Sequence, residues 1–87
     1  MSYYQVFLEK KVLKDLEKLD LKTKKRILEK LKLLRDKGFS SELDIKKLKG
    51  YMNHYRIRIG RYRILFELGS NRIIRVYAIL PRKKVYR

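Results

Sequence analysis

The stretch from Tyr55 to Phe66 reads Tyr-Arg-Ile-Arg-Ile-Gly-Arg-Tyr-Arg-Ile-Leu-Phe, with side chains alternating on both sides of a glycine. Tyr55, Ile57 and Ile59 point one way, and Arg56 and Arg58 the other. Beyond Gly60-Arg61 the apolar side resumes with Tyr62, Ile64 and Phe66, while Arg61 and Arg63 lie opposite. Period two is the signature of a strand with one buried face. Gly60 supplies the positive φ that a tight hairpin turn needs. Two such strands sharing an apolar face present a plate of guanidinium groups on the other side. That plate is unfavourable unless an anion sits on it, and a nucleic-acid backbone is an anion of the right shape.

The charge balance agrees. The 87 residues carry a net charge of +16, which implies a polyanionic partner. Residues 1–50 hold 15 basic and 8 acidic groups, mostly lysine among the bases; residues 51–87 hold 10 basic groups, mostly arginine, and one acid, Glu67. Lysine suits solvated helix faces, whereas the planar guanidinium pairs with phosphate in bidentate fashion. The second half is therefore the expected ligand-binding half. The length suits one domain, 1–87, with one modest core. Cysteine is absent and His54 is the sole histidine. Disulfides and thiolate chemistry are excluded, and a His-based metal site or a Ser-His-Asp triad is disfavoured. No cofactor and no metal site are expected. No stretch reads as a signal peptide or bilayer span, so the expectation is a cytoplasmic protein with no membrane partner. Abundant lysine and glutamate with few amides resemble the bias of thermophile proteomes.

Along the chain, Ser2 to Leu8 reads as a first strand. From Glu9 the period changes: Val12, Leu13, Leu16 and Leu19 form a helical stripe, and Ile27, Leu28, Leu31 and Leu34 form a second. Asp20 is the expected N-cap between them. Gly38 is the expected helix stop at C′, with Phe39 packing on Leu34 in a Schellman ending. Ser40 to Asn53 shows no clean period and reads as a basic loop; Leu43, Ile45 and Leu48 tie it down and Lys47 and Lys49 project. After the hairpin, Gly69-Ser70-Asn71 marks a turn. Arg72 to Leu80 is a near-continuous apolar run, which predicts a central strand covered on both faces, ended by Pro81. The expected fold is α+β, β-α-α-β-β-β, an antiparallel-rich sheet with a helical hairpin on one face.

The anion-binding set is then Arg56, Arg58, Arg63 and Arg61 from the hairpin, Lys47 and Lys49 from the loop, and Arg82 and Tyr86 from the tail. Arginines two apart on a strand lie ~7 Å from each other, close to the spacing of successive phosphates. Tyr86 is suited to stacking on a base. Two readings stand. These groups hold RNA with no chemistry, which residue physics alone favours, or they assist cleavage by the RNA's own 2′-hydroxyl. In the second reading the arginines stabilise the phosphorane charge but serve poorly as a base, because a guanidinium stays protonated. His54 is set aside as a base because it precedes the strand.

Lys47-Leu48-Lys49-Gly50, the Tyr55–Phe66 pattern and the late Arg82 and Tyr86 resemble the RelE/ParE toxin superfamily, most closely RelE-type toxins of prokaryotic toxin–antitoxin pairs, over almost the whole chain. The resemblance implies a microbial-RNase-like α+β fold. It implies a metal-independent endoribonuclease, an mRNA interferase that cuts mRNA in the ribosomal A site and so contacts ribosomal RNA. It also implies an acidic RelB-type antitoxin, in a heterotetramer or larger complex. Carried over by position, Arg56, Arg58, Arg63, Arg82 and Tyr86 fall at catalytic positions; Lys47, Lys49 and Arg61 are read as RNA-binding. The chain departs from the pattern at Pro81, where many relatives have histidine, and at Arg56 and Arg58, where some have lysine. The identity of the base is thereby left open. Two other readings are a ParE-like gyrase poison and a non-catalytic basic RNA-binding module.

Overall fold

The alternation around Gly60 folds into a hairpin of two strands, His54–Ile59 and Tyr62–Leu68, paired antiparallel with Ile59 opposite Tyr62. Gly60 opens the turn at φ 58°, the position a type II′ hairpin assigns to glycine. A computed structural model of the chain describes residues 2–81. In chain order its elements are β1 (Gln5–Leu8), α1 (Lys10–Glu17), α2 (Leu21–Lys37), β2 (Ile45–Lys47), β3 (His54–Ile59), β4 (Tyr62–Leu68) and β5 (Ile73–Pro81). The strands form one sheet in the order β1-β5-β4-β3-β2. β1 runs parallel to β5, and every other pair is antiparallel.

Both helices cover one face. Val12 and Leu16 of α1 and Ile27, Leu31 and Leu34 of α2 are buried with Ile57, Ile59, Ile64, Phe66, Ile74 and Val76 of the sheet. These are the alternate positions that the period-two pattern assigns to the apolar face. α2 starts as its sequence requires: the Asp20 carboxylate accepts from Thr23 N–H at 3.1 Å and from the Thr23 hydroxyl at 2.7 Å. Those bonds hold the Asp20 carboxyl below its ordinary range. At the other end Gly38 donates its N–H to Leu34 C=O at 2.9 Å. Its φ of 74° and ψ of −148° lie outside the left-handed helical well, so the ending is not a Schellman motif. Phe39 turns onto the rings of Tyr55, Phe66 and Tyr4.

Two further expectations, both about the sheet, need correction. The basic loop contains a fifth strand, β2, an edge segment of three residues paired to β3. It is too short to show a period. β5 is central, between β1 and β4, but it is not sheathed in apolar side chains on both faces. Its helix-free face mixes Arg75 and Tyr77 with Ala78 and Leu80, and its ladder with β4 carries a bulge. Phe66 faces Val76 and Leu65 faces Ala78, which leaves Tyr77 as the extra residue. An extra residue shifts the alternation by one and so hides it.

Candidate phosphate-binding face

The face opposite the helices is set by the same registers. One row across it runs Arg75 of β5, Glu67 of β4 and His54 of β3. The next runs Ala78, Leu65, Arg56 and Lys46 of β2, and a third runs Leu80, Arg63 and Arg58. Arg56, Arg58 and Arg63 therefore share one face in adjoining rows, as the alternation requires. Lys46 belongs with them. Lys47 pairs with Tyr55 and falls on the helix side, away from the three arginines. Lys49 stays in the loop, lining with Lys47, Tyr51 and Met52 a recess of ≈ 400 Å³. Arg61 is exposed at the hairpin turn. Arg82 and Tyr86 lie outside the described residues.

The arginines do not form a bare plate. Asp44, just before β2, reaches between two of them: Arg56 Nη1 donates to its Oδ1 at 3.2 Å and to its C=O at 3.1 Å, and Arg58 Nε donates to its Oδ2 at 3.0 Å. The bonds from Arg58 and then Arg56 hold the Asp44 carboxyl below the usual range. The carboxylate occupies the kind of bidentate seat that a phosphate takes. The Arg56 side chain is 14% exposed and Arg58 48%, so Arg58 is the more available to a ligand. Arg63 stands directly opposite Arg58. Its Nε is buried with no hydrogen-bond partner among the described residues, an expensive arrangement for a charged group.

A second polar cluster lies at the other end of this face. Arg75 is paired with both Glu67 and Glu9. The bond from Arg75 holds the Glu67 carboxyl low, and the two carboxylates raise Arg75. His54 Nδ1 lies 2.8 Å from the Tyr77 hydroxyl, and Nε2 lies 3.9 Å from Glu67 Oε2. Burial raises the Tyr77 phenol. His54 does not precede the strand; it is the first residue of β3. Sequence reading missed this cluster and Asp44. Continuing the alternation back from Arg56 to His54 and forward from Arg63 to Glu67 places both residues on the arginine side.

The fold and this face can be set beside known proteins. The model of the family described as the ParE toxin of the type II toxin–antitoxin system parDE matches residues 6–86. The chain belongs to the RelE/ParE toxin superfamily. Within the superfamily it is 36% identical over 86 residues to the putative toxin RelE1 of Methanocaldococcus jannaschii, covering 97% of this chain and 96% of that one. It is 53% identical over 45 residues to toxin RelE3 of the same organism, covering 52% of this chain and half the length of that relative. Among solved structures it is similar to the archaeal RelE–RelB complex from Pyrococcus horikoshii OT3, with TM-score 0.83, 28% identity and coverage of 94% of this chain and 98% of that chain. The isolated E. coli RelE toxin superposes with TM-score 0.76 at 18% identity, covering 94% of this chain and 87% of that one, which shows a shared fold. The α+β architecture expected from the sequence is that of these RelE structures, with β2 added to the expected element order.

Proposed function

We propose that this toxin is a ribosome-dependent endoribonuclease that cuts mRNA in the A site, using the substrate's 2′-hydroxyl as nucleophile, and so arrests translation in the cytoplasm. The observation that carries this reading is the placement of Arg56, Arg58 and Arg63 in adjoining rows on the helix-free face. Three guanidinium groups there hold consecutive phosphates and offset the charge that develops on the attacked one. Asp44 keeps Arg56 and Arg58 splayed and in place until a phosphate takes its seat. Lys47, Lys49 and Arg61 keep a proposed RNA-binding role, and Arg82 and Tyr86 a proposed catalytic one. The likeness to proteins named RelE supports this reading over a gyrase poison, which the ParE label of the family model favours. A supercoiling assay with purified protein separates the two.

The proposed partner is an acidic RelB-type antitoxin, since two archaeal RelE structures similar to this chain, from Pyrococcus horikoshii OT3 and Methanococcus jannaschii, are complexes with RelB. Phe7, Leu13, Leu21 and Leu28 are exposed apolar side chains on β1 and the helices. They suit a chain that wraps the toxin and folds as it binds. Incubating reporter mRNA with the protein, with and without translating ribosomes, tests the nuclease. Cutting that requires ribosomes supports it; intact mRNA in both reactions contradicts it.

A further inference from the structure

The arginine rows can bind and stabilise a phosphate, but they cannot take a proton. Attack by a 2′-hydroxyl needs a group that does. Three observations meet one row away from Arg56. First, the β4–β5 ladder carries a bulge whose extra residue is Tyr77. Bulges commonly re-aim a side chain beside an active site; this one puts the phenol on the arginine face, its ring 5.3 Å from the Arg75 guanidinium. Second, the Tyr77 hydroxyl lies 2.8 Å from His54 Nδ1. Third, the other imidazole nitrogen points at Glu67, whose carboxylate Arg75 keeps ionised. Carboxylate, imidazole and hydroxyl stand in series, the arrangement by which a carboxylate orients an imidazole to accept a proton.

We propose that Glu67, His54 and Tyr77 form a proton relay, and that its outer member, the Tyr77 hydroxyl, takes the proton of the attacking 2′-hydroxyl. The inference rests on the nuclease reading above. Among the described residues, the groups facing His54 are Tyr77 of β5, Glu67 of β4 with Arg75 behind it, Tyr51 of the loop at 5.8 Å between rings, and Arg56 two residues along β3. In the resting relay Tyr77 O–H donates to Nδ1, and Nε2 carries the proton that faces Glu67. As the O2′–P bond forms, the 2′ proton passes to Tyr77 oxygen and the phenolic proton to Nδ1. The imidazolium is stabilised by Glu67. The P–O5′ bond breaks, the leaving oxygen takes a proton from water, and His54 later returns its extra proton to solvent. The products are a 2′,3′-cyclic phosphate and a 5′-hydroxyl.

The test is ribosome-dependent cleavage by wild type, Tyr77→Phe and His54→Gln from about pH 5.5 to 8.5, the range in which imidazoles titrate. Tyr77→Phe keeps the ring and removes only the hydroxyl. The expected result is a cleavage rate lowered roughly 10²- to 10⁴-fold, the usual contribution of a positioned base, with ribosome binding and melting temperature unchanged. His54→Gln is expected to slow cleavage to a similar degree. Tyr77→Phe cutting at the wild-type rate with the wild-type profile overturns the relay while leaving the nuclease standing. A wild type that never cuts overturns both.

Discussion

Arg58 and Arg63 face each other across the β3–β4 ladder. Like charges placed directly opposite destabilise a sheet, and Arg63 Nε is buried without a partner among the described residues. Stability is thus given up at the point where an anion is expected. Replacing Arg63 by methionine, of similar length, relieves the repulsion and the unsatisfied nitrogen. Methionine there is expected to raise the melting temperature by a few degrees, the scale of ~0.2–1 kcal/mol in a domain of this size, while RNA cleavage is lost. A melting temperature that falls would show that Arg63 is a structural residue and not a strained functional one.

Asp44 is the complementary case. It occupies two guanidinium groups with one carboxylate. Asp44→Asn releases one negative charge from the face. RNA binding measured against salt is expected to tighten, with a slope steeper by about one. Unchanged affinity and slope would mean that Arg56 and Arg58 contact no phosphate.

The lowered carboxyls also set a pH dependence. Asp44 and Glu67 titrate below their ordinary values because arginines hold their charged forms. Their contribution to stability is present above the unfolded carboxylate range of about pH 4, and is lost as pH falls below it through the folded values. Urea midpoints are expected to be level at neutral pH and to fall in acid. The Asp44→Asn, Glu67→Gln double variant starts lower and falls less. An identical acid loss in wild type and double variant would remove these pairs from the account.

How much of this was legible in the sequence depends on where each signal resides. The faces of β3 and β4 follow from a single alternation in Tyr55–Phe66, and the α2 start follows from one aspartate. Both are local. The three-residue β2 is held by pairing with β3, which no local pattern announces. The Tyr77 bulge sits in an apolar run, where an extra residue erases the alternation that would mark it. Asp44 reaches Arg58 across 14 positions, so its partner is fixed by the fold alone. The alternation of β3 runs one residue further back than Tyr55, which puts His54 on the arginine face as the first residue of the strand.

The end of α2 carries a packing prediction. A Cβ built on Gly38 would lie 2.7 Å from Tyr3 Cδ2, and the backbone there has φ 74°. Gly38→Ala therefore meets both a clash and a conformation that side chains avoid, expected to cost roughly 1–3 kcal/mol for the backbone alone. Adding Tyr3→Ala is expected to recover only the clash. Full recovery in the double variant, read from urea unfolding, would show that the glycine is kept only for space.

The central claim is that the helix-free arginine face cuts mRNA on the ribosome. It is tested most directly by primer extension on a message in a cell-free translation reaction, comparing wild type with an Arg58→Ala, Arg63→Ala double variant whose fold is checked by melting. The expected result is new stops at A-site codons with wild type and none with the folded double variant. Stops of equal strength with both proteins, or none with wild type while translation proceeds, would contradict it.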